Sequence, residues 1–586
     1  MSRRSFFIQL ICIVCSALTL VDSRALFAPY LLAALFAFYC LCKNRTADVP
    51  EDAKALRIIG IASAVSSLML TLANYGLWLH PHMPDIRSAL FVRICKLLLL
   101  LILLSGFYFS TKNILTHIVF CKDSFVPKGR IPQEARAHLF FTVPFAALAV
   151  IYIVIWALCY YPGLLSLDSL DQIRQMFSGE YSNHQPFYHT MLMSLFIRPA
   201  YALTGNINTA VAVYSVFQIL FMAATFSFVI YNMARLKLPV WCEVLAGICY
   251  ALLPYHFMFS FTLWKDVYFG AFVTLLIVFF IRIAKGIGNS QPNHIGFAVC
   301  GPVICLIRSN GLFTYIFVFV FILLLLREQK KMLIIMLATI CVSFVCKHTV
   351  LNMLGVTPPD TVESLSIPLQ QVARVVADGG NITAEDTALL SDILDVEEVK
   401  EKYDPDISDP VKNMIRDFGN EQYLSDNMGA FAGLYLRTLI HNPMKYIEAY
   451  VDSTCGYWNS GYNYWVWFWD VESNEMGIER TVFSESMLHA MDEYLWLFYN
   501  NRILQVFIAV GLFVWILLMI LARDIARSDR IGIITTIPIL SILLSLLISS
   551  PVYSEFRYMY ALFCALPIIA AVALTPEVAG KTEETQ

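Results

Sequence analysis

The sequence predicts an all-α, polytopic helical membrane protein, and three observations carry that reading. Hydrophobic residues fill 58% of the 586 positions and charged residues 15%, against about 45 to 50% and about 25% in soluble domains. Mean hydropathy is +0.65 over the whole length, which a single anchor of about 20 residues does not produce. Apolar runs able to cross about 30 Å of hydrocarbon recur from one end of the chain to the other.

Those runs fall at 5–21, 25–42, 57–79, 88–110, 138–160, 209–232, 238–256, 266–284, 331–350, 503–521, 531–550 and 555–575. Two shorter ones, 295–307 and 312–326, flank Arg308. The first follows Met-Ser-Arg-Arg but has no small-x-small cleavage site after Leu20, so it reads as a retained anchor. Lys and Arg gather in alternate short loops: Arg3 and Arg4, Lys43 to Lys54, Lys122 to Arg136, Arg235 and Lys237, Arg282 and Lys285, Arg327 to Lys331, and Arg523 to Arg530. The positive-inside rule places all of these in the cytoplasm. The alternation holds only if 185–204, interrupted by Arg198-Pro199, does not cross fully. The result is about 14 spans with both termini cytoplasmic and a helical extracytoplasmic region between spans 11 and 12.

Four units follow: an accessory four-span module at 1–136, a membrane core at 137–350, an external region at 351–500, and three final spans with a short tail at 501–586. In the external region, Thr383-Ala-Glu-Asp386 matches a capping box with Asp in place of Glu, and helices are expected at 364–377, 384–403 and 409–418. Residues 441–500 open on His441-Asn-Pro and hold a stretch dense in Trp and Tyr at 456–470. Such rings favour the headgroup level, so this segment is expected to lie back on the membrane, either as a plain aromatic belt or as the wall of a lipid-facing site.

Net charge is −3, from 41 basic and 44 acidic residues, so no nucleic-acid partner is expected. Most of the 15 cysteines lie in apolar runs, where Cys acts as a small hydrophobe, and no CxxC pair marks a metal site.

Four polar features share the outer face. Pro162-Gly163 ends a span, and Ser169 with Gln172 suggests a capping box that sets Asp168 and Asp171 in a helix's first turn. A carboxylate there either serves the helix N-terminus or, partly dried, acts as general base on a hydroxyl. Lys265-Asp266 opens another span, where the pair either snorkels or binds. Arg308 stands in a break between apolar segments and calls for a partner or a ligand. Arg557, with Tyr558, adds a cation whose planar fork suits phosphate oxygens. His184 and His189 are compatible with a divalent metal at Asp168, but no spacing identifies one.

In order, Tyr161-Pro-Gly, Ser166-Leu-Asp-Ser, Asn183-His184-Gln-Pro, Trp264-Lys265-Asp266, Arg308-Ser-Asn-Gly, Ile367-Pro-Leu-Gln-Gln-Val-Ala-Arg374 and Glu555-Phe-Arg557-Tyr558 resemble the C-type superfamily of polytopic membrane glycosyltransferases, closest to a bacterial branch. The resemblance covers about 140–575. It implies an inverting hexosyl- or pentosyltransferase of the bacterial plasma membrane that moves a sugar from a polyprenyl-phosphate donor to a glycan, lipid or protein acceptor at the outer face. On this chain the base is then Asp168 or Asp171, and His184, Lys265, Asp266, Arg308, Arg374, Arg557 and Tyr558 are expected to bind substrate. The superfamily's acidic doublet is Asp-Ser-Leu-Asp here, and four extra spans precede it. The alternative is a transporter or flippase of lipid-linked saccharides.

Overall fold

A computed structural model describes residues 3–20, 27–46, 50, 52–80, 89–120, 138–461 and 464–575. Among them the chain is helical, with isolated bridges and no strand. The accessory unit consists of α1 (Arg3–Thr19), α2 (Phe27–Thr46), α3 (Ala53–Ala73) and α4 (Ala89–Phe120). The core follows as α5 (Leu139–Cys159), α6 (Leu167–Ser178), α7 (Phe187–Thr204), α8 (Ile207–Arg235), α9 (Val240–Leu252), α10 (Pro254–Ser260), α11 (Lys265–Ala284), α12 (Ser290–Ile307), α13 (Gly311–Leu325) and α14 (Lys330–Val345). Eight described helices are long and apolar enough to cross a membrane. The pair α9–α10, bent by 59°, makes a ninth if it is one span. The bend follows from sequence: Leu253 precedes Pro254 and is extended, with ψ 120°, because the proline ring disfavours a helical residue before it. A multi-pass membrane protein is the architecture these helices support.

A helical lobe contains α15 (Ser366–Ala377), α16 (Ala384–Ser391), α17 (Val396–Lys402), α18 (Met428–His441) and α19 (Pro443–Thr454), around an apolar centre that includes Val372, Ile415 and Leu434. Thr383 caps α16 as the sequence predicts, accepting from the Asp386 amide at 3.1 Å. The single helix expected at 384–403 is two, because Asp395 accepts from the amides of Glu397 and Glu398 and starts a second one. The helix expected at 409–418 finishes as a π turn at Met414–Phe418.

After α20 (Glu485–Asn500), the chain closes with α21 (Val510–Arg527), α22 (Arg530–Ser549) and α23 (Tyr560–Leu574). Part of the aromatic stretch packs into the protein. Tyr457 and Trp467 are fully buried in the protein core, whereas Trp496 on α20 is about half exposed. Residues 464–484 pass over the ends of the core helices, where Leu165 bridges Val471 and Tyr161 bridges Thr481.

Candidate functional site

The loop after α5 is pinned on both sides. The Leu164 amide donates to the Phe261 carbonyl and the Leu263 amide to the Leu164 carbonyl, at 2.9 and 3.0 Å, while the Glu472 amide donates to the Leu165 carbonyl at 2.9 Å. Gly163 is required here: its φ is +145°, and a Cβ would stand 2.5 Å from the Ser215 hydroxyl oxygen.

The residue at the N-cap of α6 is Ser166, not Ser169, so the predicted capping box does not form. Tertiary partners outcompete it. Ser169 donates to the Leu263 carbonyl at 2.8 Å, and Gln172 donates to the Thr190 hydroxyl at 3.0 Å. The Gln172 amide oxygen faces Nδ1 of His189 at 3.0 Å, and the Tyr214 hydroxyl faces Nε2 at 3.2 Å. Burial holds the His189 ring neutral, down at about 3, so Nδ1 carries the proton and Nε2 accepts. These contacts fix α6 and aim its first turn.

That turn carries Asp168, whose Oδ2 accepts from Arg557 Nη1 at 3.1 Å. Around the pair stand most of the residues singled out from sequence. Lys265 donates to Gln185 Oε1 beside Asp168. Arg308 Nε lies 3.2 Å from Asp266 Oδ1, with both side chains at least nine-tenths buried. The Tyr558 ring sits between two guanidinium groups, Arg308 at 4.6 Å and Arg557 at 5.3 Å, and Trp264 lies against Arg557 at 5.0 Å. Trp264 also donates to the Ser166 hydroxyl at 2.8 Å, which ties the aromatic floor to the N-cap of α6. Burial alone raises the Asp168 carboxyl, but Lys265, Arg557 and His184 outweigh it and hold the group below the usual carboxylate range. It is therefore ionised near neutral pH, and a third of its side chain remains open to solvent.

The two acids separate. Asp171, one turn further on, is turned to Arg174 at 3.6 Å and accepts from Gln175 at 2.7 Å. His184 is exposed and acts on Asp168 through charge alone. Arg374 is engaged elsewhere: in the lobe its guanidinium is shared among Asp378 at 2.8 Å, Asp452 at 3.0 Å and Glu448 at 3.3 Å. No group of three His, Cys, Asp or Glu side chains able to hold a metal ion occurs among the described residues.

Sequence reasoning did not single out Glu555, Gln185, Trp264 or Lys347 as site residues. Glu555 Oε1 lies 3.3 Å from Arg557 Nε and fixes the guanidinium from behind. Lys347 donates to the carbonyls of Arg308 and Ser309 at 3.3 and 3.0 Å and closes the break between α12 and α13. Its signal was present, since a Lys-His pair interrupts an otherwise apolar run. Gln185, Trp264 and Glu555 lie inside the quoted motifs, but a neutral or packed side chain beside a charge gives no sequence sign of its role.

Taken together, three cations and three carboxylates meet on an aromatic floor at the ends of α6, α11, α12 and α23. Such a cluster can receive an anionic group on its guanidinium and ammonium donors while Asp168 receives a proton. In comparisons with known proteins, residues 177–586 match the model of a family of unknown function, DUF6020. No curated protein and no solved structure matches the chain.

Proposed function

The chain belongs to the DUF6020 family, and we propose that it is a polytopic membrane glycosyltransferase that moves a sugar from a polyprenyl-phosphate donor to a cell-envelope acceptor. The observation that carries the reading is the meeting of Asp168 with Lys265, Arg308 and Arg557 in one cluster. In this mechanism an acceptor hydroxyl oxygen attacks the anomeric carbon and its proton passes to Asp168. The bond from that carbon to the phosphate oxygen breaks, and polyprenyl phosphate leaves with the electron pair. One displacement inverts the anomeric centre. A base must be ionised and within reach of the hydroxyl, and the depressed proton affinity of Asp168 meets the first condition at neutral pH. The fixed forks of Arg557 and Arg308 and the ammonium of Lys265 stabilise the charge that develops on the leaving phosphate.

Fourteen crossings are part of this proposal, with α7 turning back without crossing, both termini in the cytoplasm of a bacterial cell and the cluster at the outer face. The nine apolar crossings counted with the bent pair support it, as do α1, α2, α12, α13 and α21, which lie where the remaining spans are expected. The lobe and the aromatic stretch at 457–469 would cover the donor and present the acceptor, which is a glycan, a lipid or a protein. The C-type superfamily is the kinship this proposal assigns.

The test is mass spectrometry of envelope glycans and polyprenyl-phosphate sugars from cells with the wild-type chain, no chain, Asp168→Asn or Asp171→Asn at matched expression. The expected result is that deletion and Asp168→Asn both lose one decoration and accumulate its lipid-phosphate sugar, with a fall in transfer of about 10² to 10⁴ for loss of the base. Asp171→Asn stays close to wild type. If Asp168→Asn matches wild type while deletion alone has a phenotype, the catalytic reading fails and transport of a lipid-linked saccharide takes its place.

A further inference from the structure

A cavity of about 300 Å³ lies away from the charged cluster, between the accessory unit and α21. Its walls come from α1, α2, α3, α4 and α21, with Ser460 at one end. The inner wall is closed, since Leu20, Phe107 and Trp515 are nearly buried. The side formed by Phe36 and Ile516 is not, because these residues are 47% and 37% exposed on apolar helix faces. The cavity therefore opens sideways, toward whatever surrounds the bundle.

Most of its polar wall atoms are already engaged. The Ser16 hydroxyl donates to the Ile13 carbonyl at 3.0 Å, and the Thr111 hydroxyl accepts from Ser66 at 3.0 Å. Tyr30 donates to Asn459 and accepts from Asn74. The Trp515 indole N–H donates to the Trp458 carbonyl at 2.6 Å. No described lining residue is charged. A space walled largely by hydrocarbon offers water few partners, where a buried water needs about two to four. It also offers no counter-ion to a phosphate.

Along α21 the wall runs from Leu512 to Met519, which at 1.5 Å per residue is about 10 Å, roughly a third of the hydrocarbon thickness. Tyr30 and Ser460 close the end nearest the aromatic stretch. In a membrane, a largely apolar slot of this height, flanked by the exposed faces of Phe36 and Ile516, has hydrocarbon as its neighbour.

We propose that this cavity is a binding site for one acyl chain of a bilayer glycerophospholipid, inserted between the accessory unit and α21. The assignment requires membrane insertion but not sugar transfer, so it stands or falls separately from the proposed reaction. A chain seated there would touch both the accessory helices and the start of the aromatic stretch that leads, five residues after Ser460, to Trp465, which packs on Trp264 at 5.9 Å.

The experiment uses the full chain in nanodiscs of phosphatidylethanolamine and phosphatidylglycerol, doped with phosphatidylcholine that carries a diazirine midway along its second acyl chain. After irradiation, adducts are mapped by peptide mass spectrometry. The expected labelling of residues 107–114 and 512–519 exceeds that of the lipid-facing side of α14, at Ile334 and Leu337, by about tenfold. Ala34→Trp, or Ala33→Phe where the first variant does not purify as a folded chain, fills the slot and removes the excess while leaving α14 labelling unchanged. Labelling of the slot no greater than that of α14 in the wild-type chain overturns the proposal, as does an excess that persists in the filled variant. Loss of the excess on adding equimolar polyprenyl phosphate overturns the acyl-chain assignment and gives the slot to the donor lipid.

Discussion

Arg308 and Asp266 face each other at 3.2 Å with 9% and 1% of their side chains exposed, and neither Asp266 oxygen has an aligned hydrogen-bond donor. Replacing Arg308 with Met keeps the volume and the contacts with Phe269 and Tyr558 but leaves a buried carboxylate without its nearest cation. Breaking a buried pair from one side costs about 3 to 5 kcal/mol. Two features set the lower end of that range. The pair lacks hydrogen-bond alignment, and Asp266 also feels the charges of Lys265 and Arg557. The expected loss for Arg308→Met is therefore about 3 kcal/mol. Adding Asp266→Asn removes the stranded charge, and the double variant should regain most of that loss. The assay is denaturant unfolding of the purified chain in detergent, run for both single variants and the double. A single variant within about 1 kcal/mol of wild type, or a double variant no more stable than Arg308→Met, would refute the reasoning that Asp266 is held in the core by Arg308.

Two further outcomes are expected. Gly163→Ala should lower stability by about 1 to 3 kcal/mol, because φ +145° and the approach of Ser215 both exclude a Cβ; unchanged thermal unfolding would show that the loop relaxes. In the lobe, hydrogen bonds from Arg437 and Thr383 hold the Asp386 carboxyl below its usual range. A depressed folded-state value contributes stability above the unfolded value and loses it as pH falls, so Asp386→Asn should destabilise the lobe by about 1 kcal/mol at pH 7, a modest figure because Arg437 is half exposed. The gap between variant and wild type should begin to narrow below about pH 4 and close as pH falls through the lower folded-state value. A gap that is the same at pH 7 and pH 3, read by unfolding of the chain at each pH, would rule out the charge as its origin.

What the sequence made legible follows the strength of the local signal. Long apolar runs become helices because backbone groups have no other partner in hydrocarbon, and the break at Arg308 was visible because a charge there interrupts two such runs. Thr383 was legible because its cap is local and spans four residues. Ser169 and Gln172 present the same local pattern, yet the Leu263 carbonyl and Thr190 claim their side chains, nearly a hundred residues away in one case. Arg374 looked like one more cation for an anionic ligand, and only the fold shows that three lobe carboxylates occupy it. The difference between Asp168 and Asp171 was equally hidden. Both lie on one short helix, and what separates them is the direction of Arg557, which arrives from the far end of the chain.

The first helices are joined to the rest by bonds that cross the edge of the family match. Tyr75 donates to both carboxylate oxygens of Asp452 at 2.8 and 2.9 Å, and Tyr30 donates to Asn459. Asp452 and Asn459 lie within the matched residues 177–586, while their partners lie outside them. Without the accessory helices, Asp452 would be left to share Arg374 with Asp378 and Glu448, and Asn459 would lose its hydroxyl donor. Residues outside the family match are thus bonded into the same folded body as those within it, and the edge of the match is not an edge of the structure.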